Sequence, residues 1–394
     1  MHLTREEEEM LAGEYGHAAQ KAMEILLALG KIYDADRMIE IKSAQISGVS
    51  YRNIGEEGLE FLLELAEDGR VRVPTTLNPC GMDLERWREM GIPEDFAENQ
   101  LRVIDAYRRL GIQVTLTCTP YLAGNEPGFG DHIAWSESSA IIYANSALGA
   151  RTNREGGPSA LAAAIAGRTP LYGLHLEEQR LPTVEVHAPQ IRDEFEAAAL
   201  GYLVGKIIGE GVPMFRGVGV PSRDQLKALG AGLACSGGIA LFHIEGATPE
   251  ALRNPEMRAV ERIEIDEKDV LEEVDVLNDV VDPDLIFIGC PHASIEEMTS
   301  LYLLLDGRKV RRKVWILSSR SVKAQAERLG LDRRLRELGV EIFCDTCPVV
   351  APIRRIGIRS IATNSSKAAY YLKNLEGIKV GLKPLRGLVE DALR

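Results

Sequence analysis

The chain has 394 residues, 45% hydrophobic and 27% charged, the balance of a globular protein of two or three domains rather than a fibrous or disordered chain. Its formal net charge is −13 and it has no long Lys/Arg run, which argues against general nucleic-acid or anionic-membrane binding; the short basic patch Gly307–Lys313 reads as a solvated loop. Nowhere do about 18 uncharged apolar residues run together, so no membrane span is expected, and the acidic start Met1–Glu9 shows no export signal, so a cytoplasmic location with reduced cysteines is expected.

Thr4 and Glu7 fit a capping box, and the pattern predicts a helix from there to about Leu29, closed by Gly30. A turn follows at Ile46-Ser47-Gly48-Val49-Ser50-Tyr51. Arg72–Leu77 reads as a strand ending at Asn78-Pro79-Cys80-Gly81. Gly111–Thr117 reads as a second strand, ending at Cys118-Thr119-Pro120-Tyr121. Residues 123–160 are dense in Gly, Asn, Ser, Glu and Arg, above all His132–Ser139 and Gly149–Ser159. Such a stretch is a ligand surface or a tightly turned loop, and the ligand reading is preferred.

From about residue 270, short apolar runs alternate with helical stretches, which predicts βα units and a parallel sheet. The runs are Leu285–Ile288, Lys313–Leu317, Val340–Phe343 and Ile358–Ala362. Each is followed at once by a polar motif: Gly289-Cys290-Pro291-His292, Ser318-Ser319-Arg320, Cys344-Asp345-Thr346-Cys347-Pro348 and Thr363-Asn364-Ser365-Ser366-Lys367. The chain therefore reads as α/β, with an α/β region over residues 1–265 (in one or two subdomains) and a C-terminal βα-repeat domain over 266–394.

In open parallel sheets, ligands sit beyond the carboxyl ends of the strands. Cys118, Cys290 and one of the Cys344/Cys347 pair all fall there, and three thiolates from separate strand ends can hold an iron–sulfur cluster. A single cysteine in such a place is usually a small buried hydrophobe. The Cys344-Asp345-Thr346-Cys347 motif also leaves open a redox pair or half a zinc site. No phosphate-binding loop, dinucleotide fingerprint, HExxH or GxSxG motif occurs. Asn364–Lys367 joins hydrogen-bond donors to a cation at an expected helix start, which suits a carboxylate or phosphate; an ordinary N-cap explains the serine but not Lys367. Ser47-Gly48-Val49-Ser50 either presents backbone amides to an anion or is a simple turn. Glu137 is a candidate acid or base, His292 a candidate active-site residue, and His243 a core histidine.

Together, Ile46–Tyr51, Thr117–Tyr121, Trp135–Ser139, Thr152–Ser159, Gly289–His292, Asp345–Pro348 and Asn364–Lys367 resemble the aconitase X family over nearly the whole chain. That resemblance implies an aconitase-like fold, with several parallel-sheet α/β domains around a central iron–sulfur site. It implies a hydro-lyase using a 4Fe–4S cluster held by Cys118, Cys290 and Cys347, with Cys80, Cys235 and Cys344 as non-ligands. It implies that Gly48, Val49, Ser50, Asn78, Pro79, Glu137, Ser138 and Lys367 line the site of a small anionic substrate. Glu137 and Ser138 from that set, with His292 for its nearness to Cys290, are the catalytic candidates. Within the family, the likeness points to dehydration of (R)-5-phosphomevalonate to trans-anhydromevalonate 5-phosphate, a step of an archaeal modified mevalonate route to isoprenoids. The hydroxyproline-dehydrating members are the alternative. They are often longer single chains carrying a small swivelling β-barrel. No such segment is evident here, which implies a separate small subunit with that barrel and with a catalytic serine as base. A non-catalytic iron–sulfur sensor is the alternative from another class.

Overall fold

The computed structural model describes residues 1–279 and 282–394. In chain order the strands are β1 (Met38–Glu40), β2 (Ala44–Ile46), β3 (Thr75–Leu77), β4 (Ala134–Trp135), β5 (Arg168–Pro170), β6 (Val184–His187) and β7 (Pro213–Arg216). They continue as β8 (His243–Ile244), β9 (Glu261–Glu264), β10 (Leu285–Ile288), β11 (Val314–Ser318), β12 (Val340–Cys344), β13 (Ser360–Thr363) and β14 (Lys379–Leu382). β1 and β5 form an antiparallel ribbon. The other three sheets are parallel, in the orders β3-β2-β4, β8-β7-β6-β9 and β12-β11-β10-β13-β14.

The last sheet follows directly from the sequence. β10 and β11 are buried along their whole length, and a strand covered on both faces reads as a continuous apolar run. Helices Ile295–Leu305, Arg320–Arg328 and Ser366–Glu376 follow its strands, the first two capped by Ser294 and Ser319. The middle sheet carries the helices Glu194–Ile208 and Arg223–Gly237, which pack face to face through glycine. A Cβ on Gly201 would run into the Leu229 carbonyl, and one on Gly237 into that of Gly205.

Two expected elements differ. The N-terminal helix is in fact two, Arg5–Leu11 and His17–Ile32. The Thr4–Glu7 capping box is present, but Gly13 and Gly16 adopt left-handed φ between the helices. The distant Asp68 then caps the second helix by accepting from His17 N at 2.6 Å and Ala18 N at 3.0 Å. Gly30 lies inside that helix, where a Cβ would come within 2.7 Å of Met1 Sδ; it serves close packing, not termination.

The segment Gly111–Thr117 is not a regular strand. It follows β3 through Gln113 N to Thr75 O at 2.9 Å and Thr117 N to Leu77 O at 2.9 Å. Between those bonds the buried Leu116 turns to φ +46°, which breaks the ladder.

Candidate active site

The carboxyl ends of the first and last parallel sheets meet. Ser47–Ser50 follow β2, Asn78 follows β3, and Glu137 follows β4 as the N-cap of helix Ser138–Tyr143. Opposite them, Cys290 follows β10, Cys347 follows β12, and Lys367 sits in the first turn of the helix after β13. Cys118 lies just past the irregular segment beside β3. Backbone and side-chain bonds lace the two sides: Cys80 N to Asp345 O at 2.7 Å, Ser50 Oγ to Val350 O at 2.8 Å, and Cys344 N to Asp83 Oδ2 at 2.8 Å.

At the meeting point the Lys367 ammonium rests on the Glu137 carboxylate and lies 3.2 Å from Ser139 Oγ. Glu137 also accepts from Ser139 Oγ at 2.9 Å and from Asn78 Nδ2 at 2.8 Å. Burial opposes both charges. It is outweighed on Lys367 by the carboxylate, so the lysine pKa is raised, and on Glu137 chiefly by the ammonium, so the glutamate pKa is lowered. The result is a charged, nearly buried ion pair.

The three thiols share this space electrostatically. Burial, reinforced by Glu137 and opposed by Lys367, pushes the Cys118 thiol well above its usual range, and Cys290 and Cys347 both act on it. Burial raises Cys290, against Lys367 and the Ser365 hydroxyl. Burial and then Cys290 push Cys347 up to about 12. Burial raises Cys80, Cys235 and Cys344 in the same way, so the shift does not mark a ligand; Cys118 and Cys290 differ in facing both Lys367 and Glu137, Cys347 faces Cys290, and cysteine binds a cationic cofactor as thiolate. Two buried polar atoms nearby, Asn78 Oδ1 and Thr346 Oγ1, have no protein partner among the described residues. Among those residues no three His, Cys, Asp or Glu side chains close around a single metal ion. All six cysteines are free.

The other candidates divide by what their side chains do. Gly48 adopts φ +76°, which glycine permits without strain. The Val49 side chain is buried in the first sheet's core, so only its backbone can face a ligand. Ser50 spends its hydroxyl on Val350, and Pro79 is buried. Ser138 is half-buried, whereas its neighbour Ser139 touches both Glu137 and Lys367. His292 is fully buried, with Nδ1 3.0 Å from Thr117 Oγ1 and Nε2 2.9 Å from Thr346 O. Burial, against the Thr346 carbonyl, lowers its pKa to about 4. His243 is buried and bonds to Arg180 O at 2.8 Å. The Cys80 and Cys235 thiols donate to Met82 O and Gly232 O, and Cys344 is buried within β12.

Sequence reasoning missed Ser139, Thr117, Thr346 and Lys227. Lys227 is buried, paired with Asp224 Oδ1 at 2.8 Å and with Glu297, and it reaches His292 O at 3.3 Å. A lone lysine in the Ala-, Leu- and Gly-rich run of helix Arg223–Gly237 was the available signal.

Parallel sheets whose carboxyl ends face one another across three thiols and a buried Lys–Glu pair define an aconitase-like α/β protein. Sequence models of the aconitase X first, second and third domains match residues 1–178, 182–275 and 283–394, and the chain belongs to the aconitase X family. It is 49% identical to the phosphomevalonate dehydratase large subunit of Methanothermobacter thermautotrophicus, over 96% of this chain and 95% of that one. It is 48% identical to the protein of the same name from Thermococcus kodakarensis, over the full length of both. To the cis-3-hydroxy-L-proline dehydratase of Pseudomonas aeruginosa it is 37% identical, over 98% of this chain but 68% of that one. The crystal structure of Thermococcus kodakaraensis aconitase X in its holo-form matches the whole fold with a TM-score of 0.94 at 48% identity. Among the described residues no helix is long and apolar enough to cross a membrane.

Proposed function

We propose that this chain is the large, catalytic subunit of a hydro-lyase that converts (R)-5-phosphomevalonate to trans-anhydromevalonate 5-phosphate, with a 4Fe–4S cluster on Cys118, Cys290 and Cys347. The observation that carries the reading is the Lys367–Glu137 ion pair, buried beside three thiols that reach it from three separate loops. Relatives at 48–49% identity that bear the phosphomevalonate name support the substrate. The name "large subunit" supports a small partner, and the swivelling β-barrel and a serine base are proposed to lie on it.

In this reaction a hydroxyl and a proton from the adjacent carbon, next to the carboxylate, depart as water while a carbon–carbon double bond forms. When bound, the cluster supplies a Lewis-acid iron toward the departing hydroxyl. Lys367 neutralises an anionic group of the substrate and holds it against the reacting carbons. Glu137 is kept ionised by Lys367 and oriented by Asn78, so it can take up a proton or a hydrogen bond from the substrate. Asn78 Oδ1 is free to accept from a substrate hydroxyl. The backbone of Gly48–Ser50, at the start of helix Tyr51–Leu65, offers amide hydrogens to a second anionic group.

The test is anaerobic reconstitution with iron and sulfide, addition of the separately made small subunit, and measurement of water loss from 5-phosphomevalonate and, in parallel, from cis-3-hydroxy-L-proline. Turnover of the phosphorylated substrate is expected, and Cys118→Ala should abolish it. Turnover of hydroxyproline instead would replace the substrate and leave the family chemistry standing. A loaded cluster with no turnover of either would favour the sensor reading.

A further inference from the structure

We propose that His292 is a positioning residue: its imidazole and its backbone clamp the three cysteine-bearing loops to one another, leaving neither ring nitrogen free for substrate. This rests on the three-cysteine reading above, and departs from the expectation of His292 as a catalytic group. The Thr346 carbonyl can only accept, so Nε2 carries the proton and donates to it at 2.9 Å. Nδ1 is then an acceptor and takes the Thr117 hydroxyl at 3.0 Å. Thr117 Oγ1 in turn accepts from Thr119 N at 3.1 Å and lies 3.0 Å from the Thr119 hydroxyl, which closes the Cys118 turn on itself. The backbone completes the clamp, since His292 N donates to Cys118 Sγ at 3.2 Å.

One side chain thus joins the residue before Cys118, the loop of Cys290 and the residue before Cys347. Its own position is set from behind. Lys227 Nζ donates to His292 O, and Ser294, two residues on, donates to Asp224 Oδ2 at 2.7 Å. Groups that orient ligands in this way shape affinity and the properties of the bound centre without touching substrate.

The experiment compares wild type with His292→Ala, His292→Asn and His292→Gln, each reconstituted anaerobically and joined to the small subunit. Three quantities are read: the electron paramagnetic resonance spectrum of the reduced cluster, iron retained during air exposure, and the alkylation rates of Cys118 and Cys347 in the iron-free chain. In His292→Ala, alkylation and iron loss should each rise by about tenfold or more, with a shifted spectrum. Asn can meet Thr117 and Gln can meet Thr346, so each should restore part of the loss although neither can carry a proton. Unchanged alkylation, iron retention and spectrum in His292→Ala, with turnover lost and unrescued by Asn or Gln, would overturn the clamp in favour of proton transfer. If His292→Ala does not fold, Thr117→Val keeps the imidazole and removes one partner, and it should still speed alkylation of Cys118; no change there counts against the clamp. A wild-type chain that takes up no iron overturns the three-cysteine reading, while the alkylation rates still decide the clamp.

Discussion

Lys367 and Glu137 each make the other's charge tolerable. Removing one partner of a buried pair leaves an uncompensated ion, which costs about 3–5 kcal/mol. Lys367→Met should therefore lower the stability of the iron-free chain by that amount at pH 7, read from urea denaturation; equal stability would refute the pairing. The pH dependence has a definite sign. Glu137 titrates below its ordinary value of 4.5 in the folded chain, so the pair's contribution is present above that value and is lost as pH falls through the folded pKa. Without Lys367, burial would dominate and raise the Glu137 pKa, so the gap between variant and wild type should narrow in acid. At this scale the sequence put Cys290 and Lys367 just past apolar runs, and the structure has them there, whereas Cys118 follows an irregular segment beside β3 instead of the expected strand. It could not separate Ser138 from Ser139, because which hydroxyl turns toward Glu137 depends on how that carboxylate caps its helix. Nor could it show that both nitrogens of His292 are occupied, since the partners lie 175 and 54 residues away.

Elements were legible where one physical cause dominated. β10 and β11 are apolar because both faces are covered, and β12 and β13 are buried at all but Glu341 and Ser360, so their reading from the sequence needed nothing else. The segment before Cys118 has the composition of a strand, yet Leu116 at φ +46° is a tertiary outcome that composition does not encode. β8 has two residues and β9 is largely exposed, so neither leaves an apolar run to recognise. The strongest unread signal of the middle sheet was glycine spacing, Gly201 with Gly205 and Gly232 with Gly237, which brings two helices close enough for backbone to touch backbone. Gly201→Ala places a methyl group against the rigid Leu229 carbonyl. The helices must separate, so the substitution should cost about 1–3 kcal/mol even though alanine is the better helix former. A lowered thermal midpoint is the expected result, and an unchanged or raised one would mean that the helices can slide without penalty.

On the scale of the whole molecule, charge networks, one partly exposed and one nearly buried, tie the elements together around the site. Arg320 on the last sheet's side bonds Asp345 and reaches Asp83 from the first, at 3.4 Å. Lys227 does the same between the middle helix Arg223–Gly237 and the helix Ile295–Leu305, and it supports the Cys290 loop through His292 O. Burial opposes the Lys227 charge, but Glu297 and Asp224 outweigh it and raise its pKa. Lys227→Met alone would leave two nearly buried carboxylates facing each other, a loss of about 3–5 kcal/mol. Converting the whole cluster to neutral groups is a different change. In Lys227→Met with Asp224→Asn and Glu297→Gln, no unpaired charge remains, and glutamine still serves the Ser294 capping box that Glu297 completes. The triple variant should therefore recover most of the stability lost by the single one in urea denaturation, because a buried ionic cluster replaced as a unit is often close to neutral. If the triple variant is instead as unstable as Lys227→Met, the lysine acts through its bond to His292 O rather than by neutralising its two carboxylates, and the support of the Cys290 loop becomes its main structural role.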